Sequence, residues 1–239
     1  MIVPAATDKP ARWICQARRK SREPGRMSTM PFFDGRRGQV HFRRWPATGD
    51  DTPAMSLVFL HGLGQHSGQY HRFAGALTAS GIDVWAIDHT GHGLSEGDPG
   101  VGAPLSDLAA DAATLADIAR EALPGIPQAV MGHSLGAVTA LSMLTHQDHH
   151  FVAAVLCGIP RNAVAQAGWT ELADSGIPVL VVHGVDDRMA PIEPVRTWAS
   201  GLANVEMREF EDAGHDLLHE KVHASVTAVS RDFLLAHSR

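Results

Sequence analysis

The sequence predicts an α/β fold in which a mostly parallel sheet carries helices on both faces. Short apolar runs alternate along the chain with longer segments of helical period, and three of these runs are apolar at consecutive positions. The three are LVFLH (57–61), AAVLC (153–157) and VLVVH (179–183). Such strands are covered on both faces, as in a parallel sheet between layers of helices. A chain of 239 residues, 44% of them hydrophobic, is long enough for one domain with a full core.

Seven segments are predicted as strands because each is a short apolar run. In chain order they are Val40–Trp45, Leu57–His61, Asp83–Asp88, Gln128–Gly132, Val152–Cys157, Val179–Gly184 and Val205–Phe210.

Two longer segments have the spacing of amphipathic helices. Apolar residues recur at intervals of three and four between Leu105 and Ala122, which predicts a helix with Asp107, Asp111 and Asp117 facing solvent. Val222, Val226, Val229 and Phe233 have the same spacing and predict a final helix.

The net charge of −6 is unevenly distributed along the chain. Residues 1–44 contain 11 of the 20 lysines and arginines against three acidic residues, so the remainder is acidic and is not expected to bind nucleic acid. The basic excess is concentrated in ARWICQARRKSREPGR (11–26), which lacks the apolar stretch of a secretory signal.

We therefore predict that residues 1–30 form a disordered basic leader and that residues 31–239 form a single domain. Two alternatives stay open for the leader. The first is that residues 1–26 or 1–29 are an upstream extension of a protein whose translation starts at Met27 or Met30. The second is that the segment directs the protein to an organelle or binds a surface.

The two cysteines, Cys15 and Cys157, lie far apart, and Cys157 falls within an apolar run. A buried thiol in a reducing compartment is the simplest interpretation, so a cytoplasmic location is predicted. No apolar run reaches the roughly 18 residues that a membrane helix requires, and no integral membrane segment is expected.

A group of histidines raises the question of a metal site. His146, His149 and His150 lie close together, but Asp148 is the only carboxylate beside them. We predict a solvated loop and no metal.

The string GHSLG (132–136) follows a predicted strand and precedes a helix-prone segment. A sharp strand-to-helix turn can hold a serine hydroxyl exposed at the carboxyl end of the sheet, provided that the flanking residues are small, as Gly132 and Gly136 are. This context predicts that Ser134 is a nucleophile. The alternative is a structural role, in which Ser134 is the N-cap of the helix and the two glycines allow tight packing.

A serine nucleophile needs a base, usually a histidine held by a carboxylate, and on this type of sheet the acid and the histidine follow the serine in the chain. His215 comes after the last predicted strand and is preferred to His219, which lies one helical turn later. Asp187 is preferred to Asp186 because the first residues after a strand form the turn, whereas the later one points back across the edge of the sheet. Asp212 is too close in sequence to His215 to hold it from the far side.

Acyl transfer also needs donors for the developing oxyanion. The backbone amide of Leu135, directly after the serine, is predicted to supply one donor. The amide of Leu63, in the turn HGLG (61–64), is predicted to supply the other. His61 and His183 each end a strand before a glycine and are interpreted as buried or turn-fixing residues.

At these motifs the sequence resembles the α/β-hydrolase superfamily and, within it, the monoacylglycerol lipase-like branch, also called serine aminopeptidase S33 or hydrolase-4. The resemblance covers about residues 32–236. It rests on HGLGQHSGQY (61–70), DHTGHGLSEG (88–97), GHSLG (132–136), HGVDDRMAP (183–191) and AGHDLLHE (213–220). The first string is similar to the branch's HGxGEHSGRY, with Gln65 where Glu is usual and Gln69 where Arg is usual.

The resemblance implies an α/β-hydrolase fold with an eight-stranded sheet. It also implies Ser134, Asp187 and His215 as the catalytic residues and the amides of Leu63 and Leu135 as the oxyanion hole. Members of the branch usually insert a helical cap after the sixth strand, whereas only residues 158–176 separate two strands here. We expect the cap to be missing or reduced to one short helix, and the acyl pocket to be shallow.

These inferences together predict a serine esterase that acts on a small-molecule ester, either monoacylglycerol-like or with a short-to-medium acyl chain. No cofactor is expected. A thioesterase or small peptidase with the same residues, a cofactor-independent haloperoxidase, and a noncatalytic scaffold on this fold are the alternatives. The sequence does not indicate an oligomeric state.

Overall fold

The computed structural model describes residues 31–49, 52–145, 149–166 and 169–238, and these contain a sheet of eight strands. The predicted leader, residues 1–30, lies outside the described residues. In chain order the strands are β1 (Phe32–Gly35), β2 (Gly38–Trp45), β3 (Met55–Leu60), β4 (Ile82–Ile87), β5 (Gln128–His133), β6 (Phe151–Cys157), β7 (Val179–Gly184) and β8 (Val205–Phe210). Their order across the sheet is β1-β2-β4-β3-β5-β6-β7-β8. β1 and β2 are antiparallel to their neighbours, and the other six strands run parallel.

Helices cover both faces of this sheet. They are α1 (His71–Thr78), α2 (Leu105–Ala122), α3 (Leu135–Leu144), α4 (Arg161–Gln166), α5 (Trp169–Ser175), α6 (Ile192–Ser200) and α7 (His223–Ala236). Alternate residues of β3 show the two cores: Leu57 and Phe59 pack with α1 and α7, whereas Val58 and Leu60 pack with α2 and α3. The predicted fold class, a mostly parallel sheet with helices on both faces, is confirmed.

All seven predicted strands are present, and the structure adds β1, which the sequence analysis did not identify. β1 has only four residues and pairs with β2 across a two-residue turn. Gly38, which follows the turn, has a φ of 125°, a conformation open mainly to glycine. A strand of four residues is too short to show a clear period of two, so its signal lies in the turn rather than in the strand. The eight strands implied by the family resemblance are thus found.

The prediction that Asp111 faces solvent was wrong. Its carboxylate is buried, where it accepts hydrogen bonds from the Arg36 backbone amide at 2.8 Å and from the Thr90 hydroxyl at 3.2 Å. Burial raises the pKa of Asp111. Helical period correctly predicts α2, but it does not reveal that the β1–β2 turn covers this part of the outward face.

The connection between β6 and β7 contains two short helices, α4 and α5, where at most one was expected. Ala163, Val164 and Leu172 are buried in the same core as α6, so they hold the connection within the helix layer. Parallel strands need such a crossover to return the chain to the start of the next strand. The crossover is made from the segment in which the branch usually inserts its cap.

Two further sequence predictions concern membrane helices and Cys157. Within the described ranges, no helix is both long enough and apolar enough to cross a bilayer. Cys157, at the end of β6, is a free thiol and is fully buried.

Candidate active site

The carboxyl ends of β3, β5, β7 and β8 bring the predicted site residues to one edge of the sheet. Ser134 stands between the last residue of β5 and the first residue of α3. Its φ of 50° and ψ of −112° are strained values for a residue with a side chain. The serine is therefore held in the sharp turn that the motif predicted.

Two glycines make this turn possible. A Cβ atom on Gly132 would overlap the carbonyl oxygen of Gly136, and a Cβ atom on Gly136 would overlap the carbonyl oxygen of Leu60. Both obstacles are backbone atoms, which cannot move aside as a flexible side chain would. The close approach of α3 to β5 and β3 thus depends on glycine at both positions.

His215 lies between Ser134 and Asp187 and contacts both. Its Nε2 is 2.9 Å from the Ser134 hydroxyl oxygen, and its Nδ1 is 2.7 Å from Oδ2 of Asp187. The imidazole therefore accepts from the serine through Nε2 when it donates to the carboxylate through Nδ1. His215 belongs to a segment after β8, residues 211–216, that we call the histidine loop.

Asp187 is itself fixed by the turn that follows β7. Its Oδ1 accepts the backbone amides of Met189 at 2.9 Å and Ala190 at 2.7 Å. Burial alone would raise the pKa of this carboxyl, but the hydrogen bonds from His215 and from the Ala190 amide together lower it. Asp187 is thus held ionised next to the imidazole.

His183 also contacts this turn. It is fully buried, and its Nε2–H donates to the Ala190 carbonyl at 2.7 Å. Burial lowers the pKa of His183, which favours the neutral ring. Its position is that of a residue that fixes the turn after β7.

The alternative residues lie elsewhere. Asp186 and Asp212 are exposed, and Asp212 has a φ of 53° in the histidine loop. The His219 ring packs against Tyr70, with a distance of 4.8 Å between ring centroids. Of the candidate acids and bases, Asp187 and His215 are the two that form a hydrogen-bonded chain with Ser134.

The segment of residues 61–64, which we call the oxyanion turn, follows β3. His61 fixes its first residues: its Nδ1–H donates to the Gly62 carbonyl at 2.8 Å, and its Nε2 accepts the His89 amide at 2.9 Å. Burial lowers the pKa of His61 to about 4, so the ring is neutral and can serve as donor and acceptor at once.

The two predicted oxyanion donors lie at the turn and at the start of α3. Gly64 has a φ of 76°, and the Gln65 amide closes the turn on the Gly62 carbonyl at 3.1 Å. Over the ranges that the structure describes, the backbone amides of Leu63 and Leu135 have no hydrogen-bond acceptor. The first amides of a helix also point out of its positive end, which favours an anion beside Leu135.

A group of polar residues that was not predicted from the sequence joins these loops: Gln65, His133 and Asp216. The Gln65 carboxamide contacts both His133 and Asp216, and His133 contacts the backbone of His215. Gln65 was noted only because it departs from the branch's motif. The glutamine in place of the usual glutamate was the one sign in the sequence that this position differs from the branch.

The histidines considered for a metal follow α3 in the chain, whereas Ser134 precedes this helix. His149 is half-buried, His150 is exposed, and His146 and Asp148 are outside the described residues. In the part of the chain that the structure describes, no group of three or more His, Cys, Asp or Glu side chains is arranged to hold a metal ion.

The chain is similar in sequence to known proteins. The sequence pattern of the Hydrolase_4 family, "Serine aminopeptidase, S33", matches residues 51–164. The chain is 36% identical over 149 residues to a monoacylglycerol lipase of Mycolicibacterium smegmatis, an alignment that covers 62% of this chain and 50% of the relative. It is 34% identical over 128 residues to human monoglyceride lipase, and this alignment covers 53% of this chain and 42% of the human protein. The chain thus matches about half the length of these curated relatives.

Solved structures show the same fold over more of the chain. A soluble variant of monoglyceride lipase from Saccharomyces cerevisiae has a TM-score of 0.75 at 14% identity, covering 92% of this chain and all of that one. A monoacylglycerol lipase from Paleococcus ferrophilus has a TM-score of 0.65 at 19% identity, covering 83% and 99%. Est1E of Butyrivibrio proteoclasticus, solved with ferulic acid, has a TM-score of 0.72 at 15% identity, covering 83% and 95%. These likenesses confirm the α/β-hydrolase fold. The sequence matches confirm the resemblance to the monoacylglycerol lipase-like branch.

The close packing at the serine turn gives a test of stability. Gly136→Ala should lower the free energy of unfolding by about 2 kcal/mol or more, because the new methyl group meets backbone on β3. The control is Gly75→Ala in α1, where a Cβ meets no atom within 4 Å. The control should gain about 0.5 to 1 kcal/mol from the helix preference of alanine. Urea denaturation measures both variants, and equal stabilities would contradict the close approach.

Proposed function

We propose that this chain, an α/β-hydrolase similar to monoacylglycerol lipases, is a serine hydrolase that cleaves carboxylic esters through an acyl-enzyme on Ser134. The observation that carries the proposal is the position of His215, within hydrogen-bond distance of both the Ser134 hydroxyl and the Asp187 carboxylate. A nucleophile beside a base that is oriented by a buried acid is the arrangement that nucleophilic catalysis requires.

In the proposed reaction, the Ser134 oxygen attacks the ester carbonyl carbon while its proton moves to Nε2 of His215. Asp187 stabilises the resulting imidazolium through the hydrogen bond at Nδ1. The tetrahedral intermediate collapses as the bond from carbon to the alkoxide oxygen breaks, and Nε2 returns the proton to the departing alcohol. A water molecule then repeats the sequence on the acyl-enzyme, releasing the acid and regenerating the serine.

The charge that develops on the carbonyl oxygen needs fixed donors. We assign this role to the backbone amides of Leu63, in the turn after β3, and of Leu135, directly after the serine; neither has an acceptor among the described residues. Each such donor contributes about 10² to 10³ in rate. Because these donors are backbone groups, the Leu63 side chain is free to be exposed, and 71% of its surface is accessible.

For the substrate class we propose monoacylglycerol-like esters or esters of short-to-medium acyl chains. The names of the sequence relatives support the alcohol part of this proposal. The short acyl chain is supported by the connection between β6 and β7, whose two helices form the crossover of the sheet. A long acyl chain needs a deep apolar enclosure, and this segment leaves little chain from which to build one.

We further propose that the protein acts on a small molecule in the cytoplasm. The free, buried thiol of Cys157 fits a reducing compartment. The acidic charge of residues 45–239 is unsuited to the phosphate backbone of nucleic acids. The proposed steps use only groups of the chain and water.

Removing the nucleophile tests the mechanism. Ser134→Ala should lower kcat for p-nitrophenyl butyrate by at least about 10⁴-fold, because no acyl-enzyme can form. The matched control is Ser200→Ala at the exposed end of α6, which should retain full activity. Circular dichroism confirms that both variants are folded. Turnover by a folded Ser134→Ala protein would remove the assignment.

Acyl length tests the substrate class separately. We expect kcat/KM for p-nitrophenyl esters to fall steadily from butyrate to palmitate, because the two short helices of the crossover leave little chain from which to enclose a long acyl group. The series is measured with the wild-type protein below the critical micelle concentration of each ester. A maximum at palmitate would show that a deep acyl pocket exists.

A further inference from the structure

We propose that Gln65 is a positioning residue that fixes the histidine loop relative to the oxyanion turn, and that this chain requires a carboxamide rather than a carboxylate at position 65. The proposal rests on the proposed function, because it concerns the same site. Gln65 is one of the two residues, with Gln69, at which the sequence departs from the HGxGEHSGRY motif of the branch.

The Gln65 side chain uses both ends of its amide. Its Oε1 accepts the backbone amide of Gly62 at 3.0 Å and also accepts the Tyr70 hydroxyl. Its Nε2 donates to Oδ1 of Asp216 at 3.1 Å. The opposite orientation of the amide would place two donors together at Gly62 and two acceptors together at Asp216. The contacts therefore require one donor and one acceptor, which only an amide or a neutral acid provides at this position.

These contacts join the segments that carry the proposed chemistry. Gly62 lies in the oxyanion turn, one residue before the Leu63 amide, and Asp216 follows His215 directly. His133, which precedes Ser134, donates its Nε2–H to the His215 carbonyl at 2.9 Å. Its Nδ1 is then an acceptor: it lies 3.4 Å from the Tyr70 hydroxyl and is packed against Oε1 of Gln65 at 3.0 Å without a hydrogen bond between the two. One half-buried side chain thus contacts the oxyanion turn, the residue before the serine and the residue after the histidine.

A glutamate at this position would place a carboxylate where the amide nitrogen now meets Asp216. Two carboxylates about 3 Å apart repel each other unless one of them binds a proton. The repulsion would push the histidine loop away from the oxyanion turn, and small displacements of catalytic groups are costly in rate. Gln65 and Asp216 are therefore matched to each other in this chain.

The test is a double-mutant cycle with Gln65→Glu, Asp216→Asn and the two combined, followed by kcat and KM for p-nitrophenyl butyrate. Gln65→Glu should lower kcat by about 10- to 100-fold with a smaller change in KM. Asp216→Asn should stay within about threefold of wild type, because its side-chain oxygen still accepts from Gln65. In the double variant the Asn amide donates to the Glu carboxylate, so kcat should return to within about threefold of Asp216→Asn.

Gln69→Glu is the matched control for the added negative charge. This glutamine lies four residues away, is exposed, and accepts the His66 backbone amide at 3.2 Å, so the same added charge should leave kcat unchanged. The pH dependence gives a second readout. The glutamate at 65 would face Asp216, His133 and Tyr70, so one carboxyl of the pair should have a raised pKa. The ratio of Gln65→Glu kcat to wild-type kcat should therefore rise as the pH falls from about 8 to about 6, whereas the Gln69→Glu ratio stays constant.

The outcomes separate the two proposals. If the wild-type protein hydrolyses no ester, the proposed function fails. If the wild type is active but Gln65→Glu behaves like Gln69→Glu, or the double variant is as slow as Gln65→Glu, the positioning role is overturned. Should Gln65→Glu fail to fold, Asp216→Ala removes the same hydrogen bond by truncating its acceptor. Unchanged kcat in a folded Asp216→Ala protein would then contradict the proposal.

Discussion

The arrangement of the site depends on the hydrogen bond between Ser134 and His215, two residues that come from opposite ends of a segment of about eighty residues. Neither position is intrinsically favourable. The serine adopts a φ of 50°, and His215 lies on a loop outside regular structure. The surrounding structure must therefore hold both in place. Gly132 and Gly136 do so for the serine by allowing α3 to approach the sheet, and Asp187 does so for the imidazole.

Three neutral side chains, two of them fully buried and one half-buried, hold the loops around that hydrogen bond. His61 fixes the oxyanion turn, His183 fixes the turn that carries Asp187, and Gln65 links the oxyanion turn to the histidine loop. Burial lowers the pKa of both histidines, so each ring stays neutral and keeps one donor and one acceptor. The ionised carboxylate of Asp187 is placed against the imidazole, where charge is useful in the proposed reaction. At this edge of the sheet, the neutral side chains thus hold the loops in position, and the charged Asp187 stabilises the imidazolium in the proposed reaction.

The sequence predicted the features that local pattern encodes. Apolar runs indicated the parallel strands, and GHSLG between a strand and a helix indicated the turn at Ser134. The order of acid and histidine then indicated Asp187 and His215. The features it missed depend on contacts between distant segments. Asp111 lies on a face that helical period places in solvent, yet the β1–β2 turn covers it. The bond from Gln65 to Asp216 spans 151 positions and appears only once the ends of β3 and β8 are brought together.

The most direct test of the central claim is to react the wild-type protein with a fluorophosphonate and to locate the adduct by mass spectrometry of its peptides. A hydroxyl activated by His215 displaces fluoride from phosphorus, so we predict one adduct per chain, on Ser134, and loss of labelling in a folded His215→Ala variant. A folded wild-type protein that takes up no label, or takes it up on another residue, would contradict the account. Labelling of Ser134 that persists at an unchanged rate in His215→Ala would also contradict it.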